Sequence, residues 1–217
     1  EYAEGLEHSV EAIVYQGVAH IIAVSDKVKS PLPYRVDDII LYPTVEKGRR
    51  WQWVQEAVQQ SVEAIGMREG IAHVELTITE RGPVLFEIGA RCGGGAPDPL
   101  VPYLSGVEEF KEAVRLALGQ KPRHLEPLHN RGCVIRFFYP KPGRITKIHG
   151  LEEAKKLPGV LSLLMFAKPG DLVNPLRTCS DRAGMVIAGG QNRQEALDRA
   201  NHVLETVHIE TNPQREG

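Results

Sequence analysis

Two acids near the middle of the chain raise the first chemical question. Glu75 and Glu87 lie in apolar runs, residues 72–79 and 84–89, on either side of Glu80-Arg81-Gly82-Pro83. This pattern predicts a β-hairpin. With a three-residue loop, Glu80-Arg81-Gly82, and Gly82 in the left-handed conformation, the register is symmetric about Arg81. Positions whose numbers sum to 162 then face each other, and 75 and 87 are such a pair. The two carboxylates would stand on one face with Cβ atoms about 4.5–5.5 Å apart. Anions that close repel, so they require a cation, a shared proton or wide solvation. Hard oxygen ligands favour Mg²⁺, which takes one or two carboxylates and fills its octahedron with water and nucleotide phosphates. Arg91, four residues beyond Glu87, is placed to hold another anion, such as a phosphate or a substrate carboxylate. Gly93-Gly94-Gly95 follows, and a backbone without Cβ atoms can approach a phosphate and present N–H groups to it. The plainer alternative is a pair of solvated surface acids, and a loop one residue longer would dissolve the pairing. The conjunction of two acids in apolar strands, an arginine and three glycines favours the metal reading.

The elements that must position these residues can be read from periodicity. Residues 7–14 alternate polar and apolar, turn at Tyr15-Gln16-Gly17, and continue as the β-branched run Val18 to Val24, which predicts a hairpin. Residues 27–43 read as a loop and a short strand, Ile39-Ile40-Leu41-Tyr42. Val54, Val58, Val62 and Ile65 make one helix face over residues 49–66. Val107, Phe110, Val114 and Leu118 make a second over 107–118, stopped by Gly119. Residues 91–105, rich in glycine and proline, read as loop with at most one helical turn, and 119–130 as a linker. Beyond it the pattern predicts strand 132–139, helix 151–157, strand 160–166, strand 183–189 and a helix over about 192–207. Asn192 is its N-cap and Glu195 stands at the capping-box position.

Other reactive residues have simpler roles. Cys92 has no base beside it in sequence and reads as a packing residue. The eight histidines lack metal-ligand spacing, and His124 and His129 flank the linker. Asp181-Arg182 reads as a structural ion pair, and Trp51 and Trp53 as anchors for a helix start. Composition sets the outer limits. The 217 residues carry 26 Lys+Arg against 28 Asp+Glu, a net charge of −2, which argues against a nucleic-acid protein working through a basic surface. No apolar run approaches a membrane span, and no signal peptide opens the sequence. Three separated cysteines exclude a disulfide framework and a CxxC zinc site, and suit a reducing, cytoplasmic setting.

The segment GIAHVELTITERGPVLFEIGARCGGG, residues 70–95, resembles the metal-binding heart of ATP-grasp ligases. The opening EYAEGLEHSVEAIVYQG, residues 1–17, resembles the hinge strand and hairpin of the same fold. FEIGARCGGG is most similar to the L-amino acid ligase, or dipeptide synthetase, type. GRITKIHGLEEAKKLPGV (143–160), KPGD (168–171) and DRAGMVIAGG (181–190) are similar to the C-terminal domain of those ligases. Biotin carboxylases and carbamoyl phosphate synthases usually carry Asn where Gly89 stands, so this chain lacks their third metal ligand.

The resemblance implies an α+β fold: the second, C-terminal lobe of an ATP-grasp fold over residues 1–120, an antiparallel sheet with helices, followed by a small α+β C-terminal domain over 121–217. It implies ATP and Mg²⁺, with Mn²⁺ as an alternative ion. Glu75 and Glu87 would ligate the metal. Arg91 would stabilise an acyl-phosphate or the tetrahedral intermediate. Tyr2 and Ala3 would touch adenine through the backbone, and Glu7 would hold the ribose hydroxyls. The implied activity is an ATP-dependent carboxylate–amine ligase acting through an acyl-phosphate, with amino acids as the small-molecule carboxylate and amine. A chain that opens at Glu1, inside a hinge strand, reads as a piece of a longer protein. The missing partner would be the N-terminal lobe with its phosphate-clamping lysine, and this piece alone is expected to be inactive. The uncovered hinge face gives a route to a homodimer. The alternatives are an enzyme like biotin carboxylase or carbamoyl phosphate synthase, and a non-catalytic nucleotide-binding or subunit-interaction module.

Overall fold

A computed structural model describes residues 2–94 and 100–213. In chain order the strands are β1 (Leu6–Tyr15), β2 (Val18–Val24), β3 (Asp26–Lys29), β4 (Asp37–Tyr42), β5 (Gly70–Thr79), β6 (Gly82–Gly89), β7 (Gly132–Phe138), β8 (Gly143–His149), β9 (Val160–Met165), β10 (Leu172–Val173), β11 (Gly184–Gly190) and β12 (His208–Asn212). The helices are α1 (Gly48–Ala64), α2 (Leu100–Ser105), α3 (Glu109–Ala117), α4 (Leu151–Ala154) and α5 (Arg193–Thr206). The chain divides into two compact units, Glu1–Lys27 with Tyr42–Arg131, and Val28–Leu41 with Gly132–Gly217. This division differs from a single crossing at residue 120. Residues 28–41 go with the second unit because Leu41 packs into its core. The stretch up to Arg131 stays with the first because Leu128 and Arg131 donate backbone hydrogen bonds to Ser105 and Leu104 of α2, at 2.7 and 3.1 Å.

In the first unit β6, β5, β1 and β2 run antiparallel in that order. The β1–β2 hairpin turns through Gln16 and Gly17, both at positive φ, the conformation that matches the twist of the flanking strands. Alternation then sorts the residues. Val10, Ala12 and Val14 of β1 and Ala72, Val74, Leu76 and Ile78 of β5 point to one face, where α1 covers them with Val54, Ala57, Val58 and Val62. Ile65 is half exposed, because α1 has already ended at Ala64. On the opposite face, Ile13 and Ile71 pack with Val101, Val107 and Leu116. Further along that face the residues turn polar.

The second helix face read from the sequence is inverted. In α3 the buried residues are Glu109, Glu112 and Leu116, while Phe110, Val114 and, just past the helix, Leu118 are 47%, 60% and 68% exposed; Val107, which precedes the helix, is buried in the core as expected.

The second unit holds β4, β7, β11 and β9 in that order, with α5 packed over Val134, Val186 and Ala188. Asn192 Oδ1 accepts the Glu195 N–H at 3.0 Å, the expected N-cap. Glu195 itself reaches the Gln191 N–H rather than that of Asn192. A separate three-stranded sheet, β10-β8-β12, and the strand β3 are not evident from the sequence pattern. β8 mixes exposed Arg144, Thr146 and Lys147 with buried Ile145, and β10 has two residues. The helix expected over 151–157 is only the four residues of α4. Asp181 and Arg182 serve separate structural contacts. The Asp181 carboxylate accepts the Arg177 and Thr178 N–H groups, and Arg182 lies over the Phe137 ring and donates to the Asp37 carbonyl.

Candidate functional site

The β5–β6 hairpin brings Glu75 and Glu87 directly opposite each other. The route to that pairing differs from the expected one. Thr79 pairs with Gly82, so the turn contains two residues, Glu80 and Arg81. With that turn alone Glu75 would face Phe86. A register shift between Glu75 and Leu76 leaves Phe86 bulged and moves the opposition to Glu87. The run Val84-Leu85-Phe86, which breaks the alternation of β6, was the available signal.

Register assembles the rest. Ser9 of β1 faces Glu75, and Glu11 faces His73, which in turn faces Gly89 of β6. Glu7 pairs with both Thr77 and Lys27. Residues directly opposite share a face, so Glu7, Ser9, Glu11, Lys27, His73, Glu75 and Glu87 all lie on the side of the sheet away from α1. Lys27 Nζ is 2.6 Å from Glu75 Oε1 and 3.3 Å from Glu7 Oε1. His73 Nε2 is 3.4 Å from the same Glu75 oxygen, and Ser9 Oγ donates to it at 3.5 Å. His73 Nδ1 is 2.7 Å from Glu11 Oε1. The hydrogen bond from His73, together with Lys27, outweighs burial and holds the Glu75 carboxyl down at about 2. Burial pushes His73 down, but its hydrogen bonds to Glu11 and Glu75 overcome that and raise it to about 9. At neutral pH both ring nitrogens are donors and Glu75 is an anion.

Glu87 has a different setting. It is half exposed, and Arg91 Nη2 donates to its Oε1 at 2.6 Å. Arg91 is thus not directed at open space. It folds back over Gly89, where an added Cβ would meet its Cγ and Nε at 3.1 Å. The missing side chain at position 89 makes room for the guanidinium. An exposed ion pair is worth only about 0–1 kcal/mol, so a cation arriving at Glu87 and an anion arriving at Arg91 can separate the two.

The glycine stretch is used in an unexpected way. The Gly93 N–H donates to Glu11 Oε2 at 3.2 Å, instead of facing a ligand. A Cβ at Gly93 would fall 2.5 Å from Glu11 Oε1 and 3.0 Å from His73 Nδ1, so a side chain there would push that pair aside. Gly94 has open space around its Cα, and Gly95 lies outside the described residues. Tyr2 and Ala3 precede β1, and Tyr2 is largely exposed. Cys92 is an inert thiol: burial, with Glu109 and Glu11 nearby, pushes it up to about 12. Among the described residues no group of three or more His, Cys, Asp or Glu is arranged to hold a metal alone. The two opposed carboxylates, Glu75 and Glu87, fit an ion that takes two carboxylate ligands and completes its shell with water and phosphate oxygens, the habit of Mg²⁺. Missed in the sequence were Lys27, Glu11 and His73. Only the pairing of β1 with β5, sixty-odd residues apart, brings the last two together.

Comparison with known proteins bears on the same residues. Residues 1–98 match the ATP-grasp domain family, and residues 136–212 match the L-amino acid ligase C-terminal domain 2 family. Dapdiamide A synthase of Enterobacter agglomerans is 28% identical over 136 residues, which cover 59% of this chain and 32% of that protein. Human carnosine synthase 1 is 32% identical over 123 residues, covering 56% of this chain and 15% of that protein. The crystal structure of L-amino acid ligase from Bacillus licheniformis shares the fold, with a TM-score of 0.85 at 23% identity over 98% of this chain and 53% of that one. The chain thus spans less than a third of these curated relatives and about half of the solved structure. No helix among the described residues is long and apolar enough to cross a membrane.

Proposed function

We propose that this chain, which belongs to the ATP-grasp ligase family through residues 1–98 and carries an L-amino acid ligase C-terminal domain through residues 136–212, is the metal- and phosphate-holding part of an ATP-dependent carboxylate–amine ligase. The observation that carries the reading is the direct opposition of Glu75 and Glu87, with Arg91 beside the second acid. In it, Glu75 and Glu87 would hold Mg²⁺, or Mn²⁺ in its place. When bound, the ion neutralises charge on the transferred phosphoryl group. The substrate carboxylate attacks the γ-phosphoryl and ADP leaves, forming an acyl-phosphate. An amine then displaces phosphate and an amide results.

Arg91 leaves Glu87 and holds the oxygens of the acyl-phosphate and of the tetrahedral species that follows. Glu75, kept anionic by Lys27 and His73, needs no deprotonation to bind a cation. Tyr2 and Ala3 meet adenine through backbone groups, and Glu7 meets the ribose hydroxyls. The names of the relatives support amino acids as the two substrates. The second ATP-grasp lobe, read over residues 1–120, corresponds to the unit of residues 1–27 and 42–131, and the small C-terminal domain, read over 121–217, to the unit of 28–41 and 132–217. A further lobe of the same protein clamps the phosphates from the other side, so the chain alone makes no amide. Two copies pairing through the hinge face, and a cytoplasmic setting, complete the proposal.

Calorimetric titration of the chain with ADP tests it. Binding that requires Mg²⁺ and is lost in Glu87→Ala is the expected result. Equal affinity with and without Mg²⁺, or in Glu87→Ala, overturns the assignment.

A further inference from the structure

We propose that Glu11 and His73 form a positioning pair, which aims one oxygen of Glu75 at the metal and fixes Gly93, at the start of the following loop, to the same frame. This rests on Glu75 being a metal ligand. The three hydrogen bonds that Glu75 accepts, from Lys27, His73 and Ser9, all fall on Oε1. A carboxylate held by one oxygen offers the other to an ion in a fixed direction. Lys27 supplies the closest of the three contacts and is itself held by Glu7 at 3.3 Å, while Glu11 anchors the far side of His73. Its Nδ1 meets Glu11 Oε1, and the second Glu11 oxygen accepts the Gly93 N–H. A continuous path therefore runs from Gly93 through Glu11 and His73 to Glu75.

Burial argues that this path is more than packing. Glu11 is 4% and His73 7% exposed, on a sheet face whose adjoining row is Ile13 and Ile71. An apolar pair of similar size would fill that space without desolvating two polar groups. The polar pair instead provides two directed hydrogen bonds, one toward an acid and one toward a loop backbone. Gly93 is the residue next but one to Arg91, so the same anchor limits where Arg91 can stand. Ligand and arginine are thus set relative to each other by groups that touch neither ion nor substrate, which makes Glu11 and His73 positioning residues and not catalytic ones.

The experiment measures binding of Mn²⁺–ADP to the whole chain by electron paramagnetic resonance, alongside thermal unfolding. Glu75→Gln is the reference variant, and its loss of Mn²⁺ coordination is the underlying reading. His73→Leu, which keeps bulk and removes both donors, is expected to weaken Mn²⁺ binding by about tenfold or more, in the range that loss of a group behind a metal ligand produces. His73→Gln, which keeps an N–H donor, is expected to recover most of it. A folded His73→Leu chain with the parent's Mn²⁺ affinity overturns the proposal while leaving the ligand assignment standing. Unchanged Mn²⁺ binding in Glu75→Gln overturns both. If His73→Leu does not fold, Glu11→Gln carries the test, since it keeps an acceptor for Gly93 and removes the charge facing His73. Parental affinity in that variant counts against the pair.

Discussion

α1 and α3 carry the same kind of apolar repeat and use it in opposite ways. In α1 the stripe Val54, Val58 and Val62 is fully buried against the sheet. In α3 the stripe Phe110, Val114 and Leu118 faces out, and the side turned inward carries Glu109 and Glu112. Glu112 is satisfied there. Its Oε2 accepts the Arg123 N–H at 2.9 Å and lies 3.7 Å from Arg115 Nε. Of the residues in α3, Leu116 joins the core of Ile13, Ile71 and Val107. Periodicity shows that a helix has two unlike faces. Which face is buried depends on what lies across from it, and here the loop after α3 supplies the Arg123 N–H to the Glu112 carboxylate.

Five changes test the contrast. Val58→Asp puts a carboxylate into a site with no partner, and should cost more than about 4 kcal/mol, read as loss of the cooperative unfolding transition. Equal tolerance of Val58→Asp and Val114→Asp would abolish the distinction between the helices. Glu112→Ala leaves the buried-side Arg123 N–H without its acceptor, and a loss of about 1–3 kcal/mol is expected in denaturant titration. No loss would mean that the acidic side of α3 holds nothing in place. The acids around Cys92 have a pH signature. With that thiol at about 12, its reactive thiolate is on the order of one part in 10⁴ at pH 8, so maleimide should modify exposed Cys179 well before Cys92. The Cys92 rate should climb as pH rises from 7 to 9, and Glu109→Gln, by removing a nearby negative charge, should raise it at fixed pH. The smallest effect is at the outward stripe: Val114→Ser should change stability by no more than about 0.5 kcal/mol.

What could be read in the chain follows the range of the interactions. The β1–β2 turn, the cap at Asn192 and the strands of the acid hairpin are set by neighbours a few residues apart, and each is where the pattern puts it. The opposition of Glu75 and Glu87 is read from a three-residue turn, whereas a two-residue turn and the bulge at Phe86 produce it. Lys27, Glu11 and His73 were not legible, since their geometry depends on pairing between β1, β3 and β5 that no local pattern encodes. The outward stripe of α3 was misleading because amphipathicity carries no sign. β8 was hidden by the adjacent exposed Thr146 and Lys147, which break its alternation, and β12 by its short length with Ile209 as its one apolar residue.

The bulged Phe86 also separates two lengths that a regular ladder would lock together. A two-residue tip with one extra residue in the returning strand delivers the same opposition as a three-residue tip with none. Insertions at Glu80-Arg81 can therefore be compensated a few positions downstream. A protein engineer could lengthen the tip by one residue and delete the bulged one, which keeps the number of residues between the two acids and their opposition.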